Sequence, residues 1–436
     1  MAVLSFRTVP ASNFLVDNPV MFELFSDTQE HPVTFDIEVA GETAYAGVFL
    51  PTGAGPDFEA NIPVQDILKP YFVEPAAPVS PDSIVSEVER MYVDFTVHFR
   101  QDTAELTHTA RVYRGGVSKE MLRFLRDEGG DIFTYRLMNT QRQFFMTSRT
   151  LGAHIVLRDT ELSPLCFIAT GKTHRVTTDT GETYTFPATE PGKVYAFNLE
   201  ALIASLAQKP KRLTIPLFLG FSLTVDIVES ARVPDRFVIE FTNSYGVPER
   251  LEVTGKCEYE PETANESFNA YDATVDDYVE RGERQQLREI VTAESGYKTR
   301  DELRFMRDLL QSDRHWLTDA AGIRREVRVT AENFSHVVFP FEPESVTLTV
   351  RFVDGDTQFT PEPVRDDGLD RIFMLTFNIL PGRELIYLPF TGNVDLMIDW
   401  GDGTEETVTA DNPMHTYAAP GEYTVAATGH ADRLSQ

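Results

Sequence analysis

Two cysteines in 436 residues, Cys166 and Cys257, are too few for a disulfide framework or a structural zinc site. Each stands in a strand-like apolar setting, Leu165-Cys166-Phe167 and Lys256-Cys257-Glu258-Tyr259, where a buried or half-buried free thiol is expected. Basic residues are also short: 39 Lys and Arg face 68 Asp and Glu, a formal charge of −29 spread along the chain rather than gathered in a tail. Nucleic acid is therefore not an expected partner, because phosphate binding needs clustered Lys and Arg. High negative charge instead favours solubility at high local concentration. Long apolar runs are missing as well. The longest, residues 215–225, has 11 positions and contains Pro216 and Gly220, so membrane insertion is not expected. The start, Met1-Ala2-Val3-Leu4-Ser5-Phe6-Arg7, lacks both a basic-then-apolar run and a small-residue cleavage site, and does not read as a secretory signal.

Chemistry-bearing motifs are equally sparse. The nine histidines are scattered, with no His-Glu-x-x-His helix. His98 and His108 are the pair that would face each other across a hairpin, and hydrogen-bonded or exposed rings are expected there rather than metal ligands. Ala169-Thr170-Gly171-Lys172-Thr173 is like the end of a phosphate loop, but Cys166 occupies a required glycine position and His174-Arg175-Val176-Thr177-Thr178 continues as a strand where a helix is needed. Asp354-Gly355-Asp356 and Asp366-Asp367-Gly368-Leu369-Asp370 lack calcium-loop spacing, with Arg365 where the twelfth-position Glu would stand, so solvated turns are expected. No Gly-x-Ser-x-Gly elbow is present. The sequence assigns no catalytic, cofactor-binding or metal-ligating residue, and an enzyme is not expected. The 31 Phe and 15 Tyr suit core and interface packing, since no basic groove accompanies them.

What the chain does have is β-pattern and turn chemistry. A length of 436 residues predicts three or four domains of ~100–150 residues. Glu74-Pro75-Ala76-Ala77-Pro78-Val79-Ser80-Pro81 reads as a stiff linker closing a first β-sandwich over residues 1–75, whose strands are expected at 20–25, 33–39, 45–50 and 58–64. A second sandwich is expected over 82–210, with strands at 92–99, 109–113, 132–137, 143–146, 154–157, 165–170 and 193–197. Short helices are expected at 119–126 and after Asn198, where Leu199, Leu202, Ile203 and Leu206 form one face. Both units close with a strand followed by a helical turn, as one unit used twice would. An α+β unit over 211–362 is expected to hold strands at 213–218, 222–228, 237–241, 251–254, 326–330, 336–339 and 345–352. The capping box Thr299-Arg300-Asp301-Glu302 predicts its helix, with Leu303, Met306, Leu309 and Leu310 as the apolar stripe. Pro361-Glu362-Pro363-Val364-Arg365-Asp366-Asp367-Gly368 separates a last module, 369–432.

In that module Leu396, Ile398 and Trp400 alternate with Met397 and Asp399, and Gly401-Asp402-Gly403 supplies residues that tolerate positive φ. His415-Thr416-Tyr417 and Pro420-Gly421-Glu422-Tyr423-Thr424-Val425 follow. This string resembles the PKD module, an immunoglobulin-like β-sandwich used as a spacer or adhesion unit, over roughly 60 residues. A small departure is that Trp400 meets Gly401 directly, without an intervening aromatic residue. Asp399 and Asp402 are read as turn residues rather than calcium ligands, because no third and fourth oxygen ligand follows at loop spacing.

Upstream, Phe241-Thr242-Asn243-Ser244-Tyr245-Gly246-Val247-Pro248-Glu249-Arg250, then Thr299-Arg300-Asp301-Glu302-Leu303 with Leu309-Leu310-Gln311-Ser312, then paired strands, resemble tail-associated structural proteins of phages and prophages that infect Bacteroidetes, over roughly residues 15–355. The resemblance implies a virion protein, assembled in the host cytoplasm, that reaches the outside without a signal peptide. The expected protein is mainly β, serial β-sandwich domains with a few short helices and a C-terminal immunoglobulin-like PKD sandwich. Its expected role is a non-enzymatic component of a tail tip, baseplate or distal tail. Expected partners are further copies in a ring or symmetric oligomer, other tail proteins, and a host-surface glycan or protein. The alternative is a bacterial cell-surface protein that binds glycan or matrix, with its signal encoded upstream.

Overall fold

The computed structural model describes residues 3–53, 55, 57–76, 79–149, 152–218, 220–230, 236–264, 267–282, 286–318, 324–331, 334, 345–356, 373–391, 394–430 and 433–434. The chain is mainly β, with several separate sheets and few short helices. It divides into two compact units, Met1–Thr357 and Gln358–Gln436.

The first sandwich extends past its expected boundary at residue 75. Strands Leu4–Phe6, Met21–Ser26 and Phe58–Pro63 make one sheet; Asn13–Leu15, Ala104–Tyr113, Tyr92–Gln101, Val33–Val39 and Glu42–Phe49 make the other. Their shared core holds Phe22, Leu24, Ile37, Val97, Phe99 and Val112. Tyr92–Gln101 pairs antiparallel with Val33–Val39, placing Val97 opposite Ile37. After the proline-rich stretch the chain first adds Val85–Glu87 to a sheet of the second sandwich and then returns to the first sandwich with Tyr92–Gln101. Local periodicity holds no information on which distant edge a strand will complete, so the boundary was misplaced.

The same correction applies at residue 210. Arg212–Pro216 and Ser222–Val228 lie in the second sandwich, where Ser222–Val228 runs parallel to His154–Arg158 with Val225 opposite Ile155. Leu165–Ile168, Val194–Phe197 and Val85–Glu87 form the opposing sheet over a core of Phe145, Phe167, Phe197, Leu213 and Val225. Asn198 caps helix Leu199–Ser205, its Oδ1 accepting from Glu200 N and Ala201 N. Phe58–Pro63 is likewise followed by the short helix Gln65–Leu68.

Two expected strands are absent. Residues 132–137 form a helical turn, Phe133–Leu137, because Asp131 Oδ1 caps the amides of Phe133 and Thr134. Its buried residues Phe133, Arg136 and Leu137 fall at i, i+3 and i+4, a helical spacing hidden inside a β-rich composition. Residues 143–146 contribute only the isolated bridge between Phe145 and Phe167.

The third body is an eight-stranded sheet that includes Phe237–Thr242, Pro248–Val253, His315–Thr318, Arg324–Thr330 and Thr347–Asp356. Helix Arg300–Gln311 packs on it through Leu303, Met306 and Leu309. Its capping box is complete, with Thr299 N donating to Glu302 Oε2 at 2.7 Å and Glu302 N to Thr299 Oγ1 at 3.4 Å. Asp354 and Asp356 end strand Thr347–Asp356 instead of forming a turn, and Asp354 pairs with Arg325. The expected strand 336–339 and the stretch 361–370 lie outside the described residues.

The three bodies are not beads on a string. A separate apolar core draws Leu15 and Tyr113 from the first, Cys166 and Val194 from the second, and Tyr245 and Val247 from the third, around Leu125, Phe133 and Leu137. At its edge the backbones touch: Gly116 N donates to Ser244 O at 2.7 Å, and a Cβ on Gly115, whose φ is +89°, would lie 2.5 Å from Ser244 O.

In the second unit, Phe373–Ile379, Gly421–His430, Asp395–Asp399 and Glu405–Val408 form a four-stranded sheet, and Leu385–Tyr387 pairs with Met414–Thr416. Leu396, Ile398 and Trp400 all point into a core with Leu388, Tyr417 and Val425. Trp400 N donates to Thr404 O at 3.0 Å across a turn in which Gly401 and Gly403 have φ of +75° and +92°.

Candidate functional site: the junction of the three bodies

The residues singled out from sequence do not converge. His98 and His108 occupy adjacent register positions, opposite Thr107 and Val97, and so point to opposite faces. His98 Nδ1 meets Thr107 Oγ1 at 2.9 Å, while His108 Nε2 meets Ala11 O at 3.1 Å. Among the described residues one trio of potential metal ligands approaches within 4.8 Å, Asp36, Glu38 and His98, but Arg100 already pairs with Asp36. Lys172 Nζ donates to Thr140 Oγ1 at 2.9 Å, and the segment after it enters strand Arg175–Thr178, so no helix amides face a phosphate. Asp399 and Asp402 accept from the turn amides of Gly401 and Thr404 at 2.9 and 3.0 Å. Asp402 Oδ2 also meets His415 Nε2 at 2.8 Å. Cys166 is buried, and burial pushes its thiol up to about 12, which makes it inert.

What does converge is a buried set of charges between the second and third bodies. Arg149 Nη1 lies 3.2 Å from Glu161 Oε2, and Arg149 Nε lies 3.3 Å from Glu249 Oε2, with all three side chains at most 5% exposed. Its guanidinium also covers the Phe305 ring at 4.1 Å. Asn243 Nδ2 and Ser163 Oγ both donate to Glu249 at 3.4 Å, and Glu252 N donates to Glu161 Oε1 at 2.7 Å. Beyond these, Arg158 bridges Glu302 at 2.9 Å and Glu252 at 3.8 Å, while the fully buried Lys298 donates to Glu252 O at 2.5 Å. Among the described residues the Glu252 carboxylate has no hydrogen-bond partner, and Arg158 and Arg236 hold it at longer range.

Burial raises the Glu249 carboxyl and lowers the Lys298 ammonium. Burial also works on Glu302, but the Thr299 amide, Arg158 and Lys298 outweigh it and hold that carboxyl below its usual range. The Ser163 hydroxyl is the one hydroxyl donating to Glu249 among the hydrogen bonds above, and the charges of the set are paired with one another. The sequence marks none of Arg149, Glu161, Glu252 or Lys298, and Glu249 enters there only within the string Phe241 to Arg250, with no role assigned. The only signal available was a carboxylate in an apolar strand, as in Leu251-Glu252-Val253.

Beside this network lies an open cleft of about 1140 Å³. Arg90, Arg114 and Arg314 converge in it, and Arg324 covers the Trp316 ring at 4.3 Å. Arg114 is spent on backbone carbonyls, reaching Phe72 O at 2.9 Å and Glu74 O. Burial lowers its pKa, and Arg90 and Arg314 push the same way against Asp17. Glu240 pairs with both Arg250 and Arg324.

Two histidines give a pH test of the packing. His174 stacks on Phe144 at 4.5 Å, and His315 Nε2 meets Leu309 O at 2.7 Å; burial lowers both pKa values. The unfolded chain takes up protons on these rings from about pH 6.5 downward, before the folded chain does, so their contribution is intact above that pH and is lost as pH falls through it. Burial of Glu249 and Asp308 raises their pKa values and acts in the opposite sense. The readout is therefore a difference. Between pH 7 and pH 5, wild type should lose more Tm than the double variant His174→Phe, His315→Gln; equal losses would show that the rings are protonated in place.

No protein-family model matches the chain, and no curated protein matches it. Among solved structures it is similar to the periplasmic chaperone SfaE at 10% identity, over 53% of this chain and 100% of that one, with a TM-score of 0.15. It is also similar to Drosophila OTK extracellular domains 3–5 at 8% identity, over 66% and 91%, with a TM-score of 0.16. A third likeness is to the Bacteroides ovatus mixed-linkage glucan utilization locus SGBP-B in complex with a mixed-linkage heptasaccharide, at 8% identity over 99% and 97%, with a TM-score of 0.14. Scores this low carry no argument about shape or function.

Proposed function

We propose that this chain is a non-enzymatic structural component of a phage tail, at the tail tip, baseplate or distal tail. In this reading it is assembled in the host cytoplasm, and Gln358–Gln436 serves as a PKD-type spacer or adhesion module. The observation that carries the reading is the charged joint of Arg149, Glu161, Glu249, Glu252 and Lys298. It pairs the chemistry-bearing side chains of two bodies with one another, which suits a block that transmits load and not a site that turns over substrate. The sequence resemblance and the high negative charge support the same reading. Subunits of such a particle form a ring or another symmetric oligomer through large interfaces. Size-exclusion chromatography with light scattering should find a discrete oligomer, and a monomer at every concentration would count decisively against the assembly.

A further inference from the structure

Strands Ser267–Asp272 and Asp277–Gly282 form a hairpin that pairs with no other described strand. Its register puts Tyr271 opposite Tyr278 and Asn269 opposite Glu280 on one face, with Phe268 opposite Arg281 on the other. The two tyrosine rings meet edge-on at 5.7 Å, yet are 54% and 68% exposed; Phe268 is 49% exposed and Val275, at the turn, 61%. A lone two-stranded hairpin is marginal in water, and aromatic rings grouped in the open mark a surface waiting for a partner. Six-residue strands make this an arm of ~20 Å. It is acidic too, with Asp272, Asp276, Asp277 and Glu280 against Arg281 alone.

The complementary chemistry lies elsewhere on the same unit. In a chain of charge −29, the cleft gathers Arg90, Arg114, Arg314 and Arg324 beside Trp316, and no residue of the hairpin lines it; carboxylates share the lining, and Arg90 pairs with Glu74 and Arg324 with Glu240, so an incoming acidic arm would compete with these partners. Guanidinium groups accept both kinds of group the arm offers: carboxylates by paired hydrogen bonds and tyrosine faces by cation–π contact.

We propose that the hairpin arm of one copy seats in the arginine-lined cleft of a second copy, its acidic tip toward Arg90 and Arg314 and its tyrosine pair toward Trp316 and Arg324. The proposal rests on the assembly reading above and specifies the contact. Arm and cleft are different surfaces, so the contact is head-to-tail, and it closes a ring if the rotation per copy permits.

The full chain is followed by light scattering and sedimentation in three forms: wild type, an arm variant Tyr271→Ser, Tyr278→Ser, and a cleft variant Arg90→Glu, Arg314→Glu. All the altered side chains are accessible, and unchanged melting confirms that each variant folds. Each variant alone should associate at least about 30-fold more weakly. Mixed, they should form a one-to-one dimer that cannot grow, because only one intact arm and one intact cleft remain. Adding Asp277→Lys and Glu280→Lys to the cleft variant should restore association. Variants that assemble like wild type overturn this contact while leaving the assembly reading standing. A wild type that stays monomeric removes both. Loss of glycan-array binding in the arm variant with unchanged association assigns the arm to sugar and overturns the proposal.

Discussion

Arg149→Met should destabilise the unit Met1–Thr357 by about 3–5 kcal/mol, the usual consequence of stranding a buried charge. The substitution keeps much of the side-chain volume over Phe305 but removes the only cation within 3.3 Å of both Glu161 and Glu249 among the described ion pairs. Two carboxylates would then face each other with a few neutral donors. Most of the loss is this repulsion and desolvation rather than the pairs' net worth, since a buried ion pair gains little over an apolar replacement. The triple variant Arg149→Met, Glu161→Gln, Glu249→Gln should therefore recover much of the stability. Denaturant midpoints at constant slope measure both. A loss below about 1 kcal/mol for the single variant would mean that water reaches the joint.

Trp400→Ala should remove a large part of the stability of the unit Gln358–Gln436 and leave the other intact. Trp400 is fully buried, stacks on His415 at 4.8 Å and 15°, and accepts the Tyr417 hydroxyl on its carbonyl at 2.8 Å. Truncating a core tryptophan costs about 3–5 kcal/mol, against ~0.05–0.15 kcal/mol of stability per residue in a unit this short. Calorimetry should show one transition moved far down in temperature and the other unshifted. Coupled movement of both transitions would contradict the division at Thr357. The Asp402 carboxyl, held at about 2 by Thr404 and His415, adds an acid limit: its contribution is present above pH ~4 and is lost as pH falls toward 2.

Much of the local structure was legible. Val33–Val39 and the helix capped by Thr299 follow from alternation and from capping chemistry, both of which act within a few residues. The core positions of Leu396, Ile398 and Trp400 follow from the same alternation. Domain edges were not legible, because Tyr92–Gln101 joins Val33–Val39 and Ser222–Val228 joins His154–Arg158 across long stretches of chain. The turn Phe133–Leu137 was missed because its aromatic residues suit strands as well as helices, and the Asp131 cap decides. The charged joint was invisible because its members come from four separate segments, with only Glu249 and Glu252 sharing a strand. The exposed hairpin was missed for a related reason: the sequence gives pairing partners no coordinates, so nothing distinguished a covered sheet face from a bare one.

The backbone contact between Gly115–Gly116 and Ser244 has a consequence for synthesis. About 130 residues separate the two loops, and a ribosome adding ~5–20 residues per second needs roughly 7–26 s to cover that distance. Throughout that interval the first body is complete in itself, but Tyr113 and Leu15 have no Tyr245 or Val247 to cover them. Phe133, which meets Tyr113 at 5.3 Å, is made within that interval, so the shared core fills from one side and stays open on the side of Tyr245 and Val247. Crowded polysomes, rather than the finished protein, are where aggregation would begin.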